Sequence, residues 1–178
     1  MERSVVIAGF GGQGVILAGK ILAQAGMDHG LEVTWLPSYG PEMRGGTANC
    51  TVVTSDSPVG SPIVDEPSAL IAMNLPSLEK FADQVAVDGT IIVNSSLIES
   101  TVKRTDLHVI SIPLNELATK IGNSRTINMI ALGALIKATG IVPLETLKET
   151  MKKAFEDSGK AKVVPINLQA VEEGYNAA

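Results

Sequence analysis

Residues 9–14 read GFGGQG, directly after the apolar run Val5-Val6-Ile7-Ala8. Gly9, Gly11 and Gly14 fit the G-x-G-x-x-G spacing of a strand-to-helix turn whose backbone approaches a dinucleotide pyrophosphate. Such a site also needs a carboxylate at the end of the second strand to hold the ribose hydroxyls. At that point the sequence reads Trp35-Leu36-Pro37-Ser38, without Asp, Glu or Arg, and Glu32 falls at the wrong end of the strand. Small residues that let the first helix pack closely over the first strand are enough to account for Gly11 and Gly14. A second pattern, Gly14 to Ile21, has the phosphate-loop spacing as far as Lys20. It places Ile21 where the magnesium-binding Ser or Thr belongs, and its "VILA" is the apolar face of a helix, so nucleotide hydrolysis is not supported and Lys20 reads as a solvated helix residue.

The second chemistry-bearing stretch is "PSYGPEMRGGTAN", Pro37 to Asn49. Prolines and glycines fix an irregular backbone there, and Ser38, Tyr39, Glu42 and Arg44 put polar and charged heads on a surface loop. Arg44 offers a planar fork for a carboxylate or phosphate, and Gly45-Gly46 let another backbone or a ligand come close. Pairing of Arg44 with Glu42 or with neighbouring elements is the plainer reading; either way the stretch suggests a contact surface. A third stretch, "IGNSRTINMIALGALIKATG" (121–140), has Asn123 and Ser124 as helix caps, Asn128 in the first turn and Gly133-Ala134 in mid-helix. Glycine inside a helix costs up to ~1 kcal/mol relative to Ala, so something must pack tightly against it: another helix, or a partner subunit. Arg125 could hold an anion beside that helix start.

Nothing assembles into an autonomous catalytic set. The single thiol, Cys50, has no plausible His partner, and it can make neither an internal disulfide nor the four thiolates of an iron–sulfur cluster. His29 and His108 are the only histidines, and neither C-x-x-C nor H-x-x-x-H spacing occurs, so no metal site is expected. Glu172-Glu173 and Asp65-Glu66 fall in polar, solvated segments.

These residues need a scaffold of alternating strands and helices. Val5 to Ala8, Leu31 to Leu36 (stopped by Pro37), Thr47 to Thr54, Ala69 to Met73, Thr90 to Val93 and Val109 to Ile112 read as strands. Helices are expected over Gln13 to Asp28, Pro76 to Val85, Leu114 to Ile121, Ile127 to Thr139, Leu144 to Phe155 and Leu168 to Glu173. The pattern implies a single three-layer α/β/α domain over residues 1–178 with a Rossmann-like first βα unit. Because Thr47 to Thr54 is reached through a loop and not a helix, the sheet should be mixed and mostly parallel. The chain has 178 residues, 45% of them hydrophobic, which suits one well-covered core. A net charge of −5 argues against nucleic acid as a partner. Only four consecutive apolar residues precede the glycine turn, and no stretch approaches the ~20 needed to span a bilayer, so the expectation is a soluble cytoplasmic protein without a membrane partner.

Four segments in order, "GFGGQGVILAGKILAQAG", "PSYGPEMRGGTANCTVV", "SPIVDEPSALIAMN" and "IGNSRTINMIALGALI", closely resemble the gamma subunit of 2-oxoacid:ferredoxin oxidoreductases, over Val5 to about Leu147. The resemblance implies a subunit of a hetero-oligomer of anaerobic metabolism that converts a 2-oxoacid and coenzyme A to acyl-CoA and carbon dioxide, passing electrons to ferredoxin. It also implies that thiamine diphosphate with magnesium is held by alpha and beta subunits, and [4Fe-4S] clusters by beta and delta subunits, with no cofactor tightly bound by this chain. "DGTIIVN", Asp88 to Asn94, holds only a fragment of the G-D-G…N diphosphate motif, at too short a spacing. On the same resemblance Gly11, Gly12, Gln13, Ser38, Tyr39, Arg44, Gly45 and Gly46 are candidates for contacting the coenzyme A region or a neighbouring subunit. Pyruvate-type chains tend toward G-P-E-R-x-G-A-P; here Gly40 to Thr47 reads GPEMRGGT, closer to the 2-oxoglutarate type, with pyruvate or branched-chain 2-oxoacids as alternatives. A free-standing dinucleotide-binding oxidoreductase is the competing class.

Overall fold

β-Branched and aliphatic runs set the strands, and the computed structural model, which describes residues 1–38 and 47–178, gathers them into one six-stranded sheet. Its strands are β1 (Arg3–Phe10), β2 (Glu32–Ser38), β3 (Thr47–Ser55), β4 (Ala69–Ala72), β5 (Thr90–Asn94) and β6 (His108–Ile112). The order across the sheet is β2-β3-β1-β4-β5-β6. β3 runs antiparallel to both β1 and β2, while β1, β4, β5 and β6 are parallel, so the sheet is mixed as expected. The helices are α1 (Val15–Asp28), α2 (Leu75–Phe81), α3 (Leu114–Ile121), α4 (Ile127–Thr139), α5 (Leu144–Asp157) and α6 (Val164–Ala177). No helix among the described residues is long and apolar enough to cross a membrane.

Alternation along the strands divides the core into two layers. Val5, Ile7, Cys50, Val52, Ile71, Ile92 and Ile112 pack under α1 and the C-terminal helices, with α4 buried on nearly all sides. Val6, Ala8, Leu70, Ala72, Ile91 and Val93 face the other way, against Leu78, Phe81 and Val85 of α2 and its continuation. The result is a single three-layer α/β domain.

Three sequence expectations are corrected, and one open alternative is decided. Pro37 does not stop its strand: β2 continues to Ser38, with Pro37 opposite Cys50, because β2 lies at the sheet edge, where an absent N–H need not break the ladder. The last helix is not a short Leu168–Glu173 segment but spans Val164–Ala177, carrying Pro165 in its first turn, where the missing N–H is harmless. The close approach of α1 to the sheet comes from Gly19 and Gly26, not Gly14: an added Cβ at Gly19 would overlap the Cys50 sulfur, and one at Gly26 would sit 2.9 Å from Val33 Cγ2. At Gly133, where another helix or a partner subunit could supply the tight packing, the cover is a helix, this chain's own α6. A Cβ at Gly133 would overlap the Val171 carbonyl, and one at Gly174 the Ile130 carbonyl, so the two glycines face each other across a helix crossing closed at backbone distance.

Candidate functional site at the carboxyl end of the sheet

The chain leaves β1 for α1 on one face of the sheet and leaves β4 for α2 on the other. Connections that diverge from adjacent parallel strands open a crevice above the carboxyl ends of those strands, the usual ligand position in open α/β sheets. The glycine turn lies on this crevice. Because β2 is parallel to β1 through the shared neighbour β3, the 39–46 segment is anchored at the same end: Ser38 pairs with Asn49, and Thr47 with Phe10. Two stretches separated in sequence thus start from one rim.

Within the turn, Gln13 N–H donates to the Phe10 carbonyl (3.2 Å), and Gly12 adopts φ +92°, the positive value that the third position of a type II turn demands. The Gln13 side chain closes the loop: its Oε1 accepts the Phe10 N–H at 2.6 Å and its Nε2 reaches the Met73 carbonyl at the end of β4 (3.4 Å). Gly9 is needed for that closure, since a Cβ there would sit 2.6 Å from Gln13 Oε1 and 2.8 Å from Met73 Cβ. Gly11 and Gly12 are exposed, and the space a Cβ would take at Gly12 is empty. The helix that follows carries neither a capping side chain nor an acidic residue in its first turn, so its leading N–H groups present partial positive charge to the crevice.

Amide side chains brace the neighbouring strand ends. Asn94, fully buried at the end of β5, donates to the Met73 carbonyl (3.1 Å) and to Asn115 Oδ1 (2.9 Å), and accepts the Leu114 N–H (3.2 Å). Asn74 Oδ1 caps α2 through the Ser77 N–H (2.9 Å). Asn128 of α4 donates from Nδ2 to the Gly14 carbonyl (3.1 Å), which brings the start of the third singled-out stretch to the glycine turn. Asn128 belongs to the site through this contact; in the sequence it shows only as one polar residue opening an otherwise apolar helix. Arg125 is exposed, its N–H tied to Asn123 Oδ1 at 2.9 Å.

The described members of the candidate set, Gly11, Gly12, Gln13 and Ser38, therefore share one rim. Tyr39, Arg44, Gly45 and Gly46 lie outside the described residues, as does the Arg44–Glu42 pairing. Among the described residues the second strand ends at Ser38 without the carboxylate that the ribose-binding part of a dinucleotide site requires. Asp88, at φ 60° in the turn before β5, and Asn94, after which β5 ends, stand at opposite ends of one strand and do not fit a diphosphate–magnesium motif. Burial holds the Cys50 thiol neutral, its pKa pushed up to about 12. Among the described residues no three His, Cys, Asp or Glu side chains are grouped to hold a metal. What the described residues of the rim offer is backbone N–H groups, amides and open glycine surface, which are means of binding; no nucleophile or proton-transfer pair stands among them.

Comparison with known proteins agrees over the full chain. The family model described as pyruvate ferredoxin/flavodoxin oxidoreductase matches residues 4–177. The chain is 43% identical to ketoisovalerate oxidoreductase subunit VorA of Methanothermobacter thermautotrophicus over 97% of its own length, but spans only 36% of that relative. It is 35% identical to 2-oxoglutarate synthase subunit KorC of Methanocaldococcus jannaschii over 100% of this chain and 95% of that one. The crystal structure of a keto/oxoacid ferredoxin oxidoreductase gamma subunit from Geobacter sulfurreducens superimposes with a TM-score of 0.84 at 27% identity, covering 99% and 98% of the two chains. A 2-oxoglutarate:ferredoxin oxidoreductase from Magnetococcus marinus, solved with 2-oxoglutarate, coenzyme A and succinyl-CoA bound, matches 99% of this chain and 31% of its own with a TM-score of 0.89 at 27% identity. With its strands, its site rim and nearly every residue inside these matches, the chain belongs to the pyruvate ferredoxin/flavodoxin oxidoreductase family.

Proposed function

We propose that this chain is the gamma subunit of a multi-subunit 2-oxoacid:ferredoxin oxidoreductase, packing on alpha, beta and delta subunits and lending its glycine turn and the 39–46 segment to the region where coenzyme A enters. The net reaction takes 2-oxoglutarate, coenzyme A and oxidised ferredoxin to succinyl-CoA, carbon dioxide and reduced ferredoxin. The observation that carries this reading is the end-to-end match to KorC and to the gamma subunit of Geobacter sulfurreducens, both chains of nearly the same span. The rim supports a binding role, because exposed glycine backbone and an uncapped helix start suit the phosphates of coenzyme A, with Arg44 as their ion-pairing partner. Thiamine diphosphate, which supplies the carbanion chemistry at the 2-oxo carbon when bound, and the [4Fe-4S] clusters sit on the other subunits in this reading; no residue of this chain acts on them.

The 43% identity to VorA favours a second reading in which the 2-oxoacid is branched. Anaerobic purification of the chain from its source, followed by native mass spectrometry and a ferredoxin-linked assay, tests both. Companion subunits carrying thiamine diphosphate and clusters, with activity on 2-oxoglutarate above that on 3-methyl-2-oxobutanoate and pyruvate, is the expected result. Preference for the branched acid establishes the second reading. A chain found alone or only as a homo-oligomer overturns both.

A further inference from the structure

We infer that Asn128 is a positioning residue for coenzyme A: its amide, delivered by α4 from 114 residues downstream, fixes the glycine turn in its binding shape. The inference rests on the coenzyme A reading above.

Asn128 is 4% exposed, and it opens a helix in which the residues from Ile127 to Ile136 are all buried. An amide in such surroundings is costly unless it is hydrogen-bonded, so an apolar residue would suit the core better if packing were the only demand. Its bonds are specific. Oδ1 accepts the Met129 N–H at 3.0 Å, which turns Nδ2 toward the Gly14 carbonyl at 3.1 Å. That carbonyl also accepts the first intrahelical bond of α1, from Ala18 N–H at 3.0 Å, so Asn128 holds the peptide where turn becomes helix.

The fit is steric as well as polar. Gly14 adopts φ +75°, and a Cβ there would overlap Asn128 Nδ2 and stand 2.8 Å from its Cγ. The turn is therefore pinned from two sides, by Gln13 against β4 and by Asn128 against α4, while its outer surface at Gly11 and Gly12 stays open. A binding loop held in its bound shape avoids the ordering cost on association, and loss of the pin should appear as weakened binding of the ligand that the loop contacts.

The test uses the assembled complex with two replacements that keep a branched side chain of four heavy atoms. Asn128→Leu suits the apolar helix but cannot donate to Gly14; Asn128→Asp keeps the shape and replaces the donor by an acceptor. Each is expected to raise the KM for coenzyme A about tenfold, the effect of one lost hydrogen bond on a positioned group, while the KM for the 2-oxoacid moves far less. If both KM values move together, or if only the melting temperature shifts, the residue is structural and the inference is overturned. Should Asn128→Leu fail to assemble, Asn128→Asp decides alone. Arg44→Ala run in parallel separates the two levels: an unchanged KM for coenzyme A in that variant overturns the coenzyme A reading itself, whereas a raised one beside unaffected Asn128 variants overturns only the positioning role.

Discussion

At Gly12 the backbone takes φ +92° and the place of a Cβ is empty; at Gly133 and Gly174 the backbone is helical and that place is filled by the carbonyls of the facing helix. The turn uses glycine for conformation and keeps its outer face open. The α4–α6 crossing uses glycine for distance and keeps everything out. The same residue type therefore marks a surface that can receive a ligand in one region and a seam closed to any visitor in the other. What separates them is whether the missing side chain borders solvent or backbone.

Substitutions should split along that line. Gly174→Ala pushes a methyl into the Ile130 carbonyl and must drive the helices apart, so we expect a loss of about 3 kcal/mol or more in denaturant unfolding, with no dependence on coenzyme A. Wild-type stability would mean that the seam is looser than described. Gly14→Val forces a β-branched residue into the left-handed region and against Asn128, for an expected loss of about 2 to 3 kcal/mol. Adding Asn128→Ala should recover part of that loss by removing the overlap but leave the φ strain; full additivity of the two changes would break the claimed contact. Gly12→Ala meets no neighbour, so it should cost only about 1 kcal/mol for its positive φ while still raising the KM for coenzyme A. A stability loss as large as that of Gly174→Ala would erase the distinction between the two regions.

How much of this could be read in the sequence depends on the range of the contact involved. The order of strands and helices follows from local periodicity, and Thr47 to Thr54, reached through a loop, points to a mixed sheet. Pro37 misleads because its effect depends on whether its strand lies at the edge, a property of the whole sheet. The tight packing required at Gly133 is legible in its mid-helix position, but not that its cover is α6 of the same chain. The candidate turn residues stand out by type, whereas Asn128 and Asn94 do not: an isolated Asn carries no local signal that its amide will reach Gly14 or the Met73 carbonyl.

Hydrogen–deuterium exchange on the assembled complex, with and without coenzyme A, reads the open turn and the closed helix crossing in one experiment. Exchange should slow across residues 10–16 and 38–47 when coenzyme A is added, and stay unchanged across the facing segments of α4 and α6 around Gly133 and Gly174. Protection confined to other parts of this chain or to the companion subunits, with residues 10–16 and 38–47 unaltered, would contradict a coenzyme A contact at the turn.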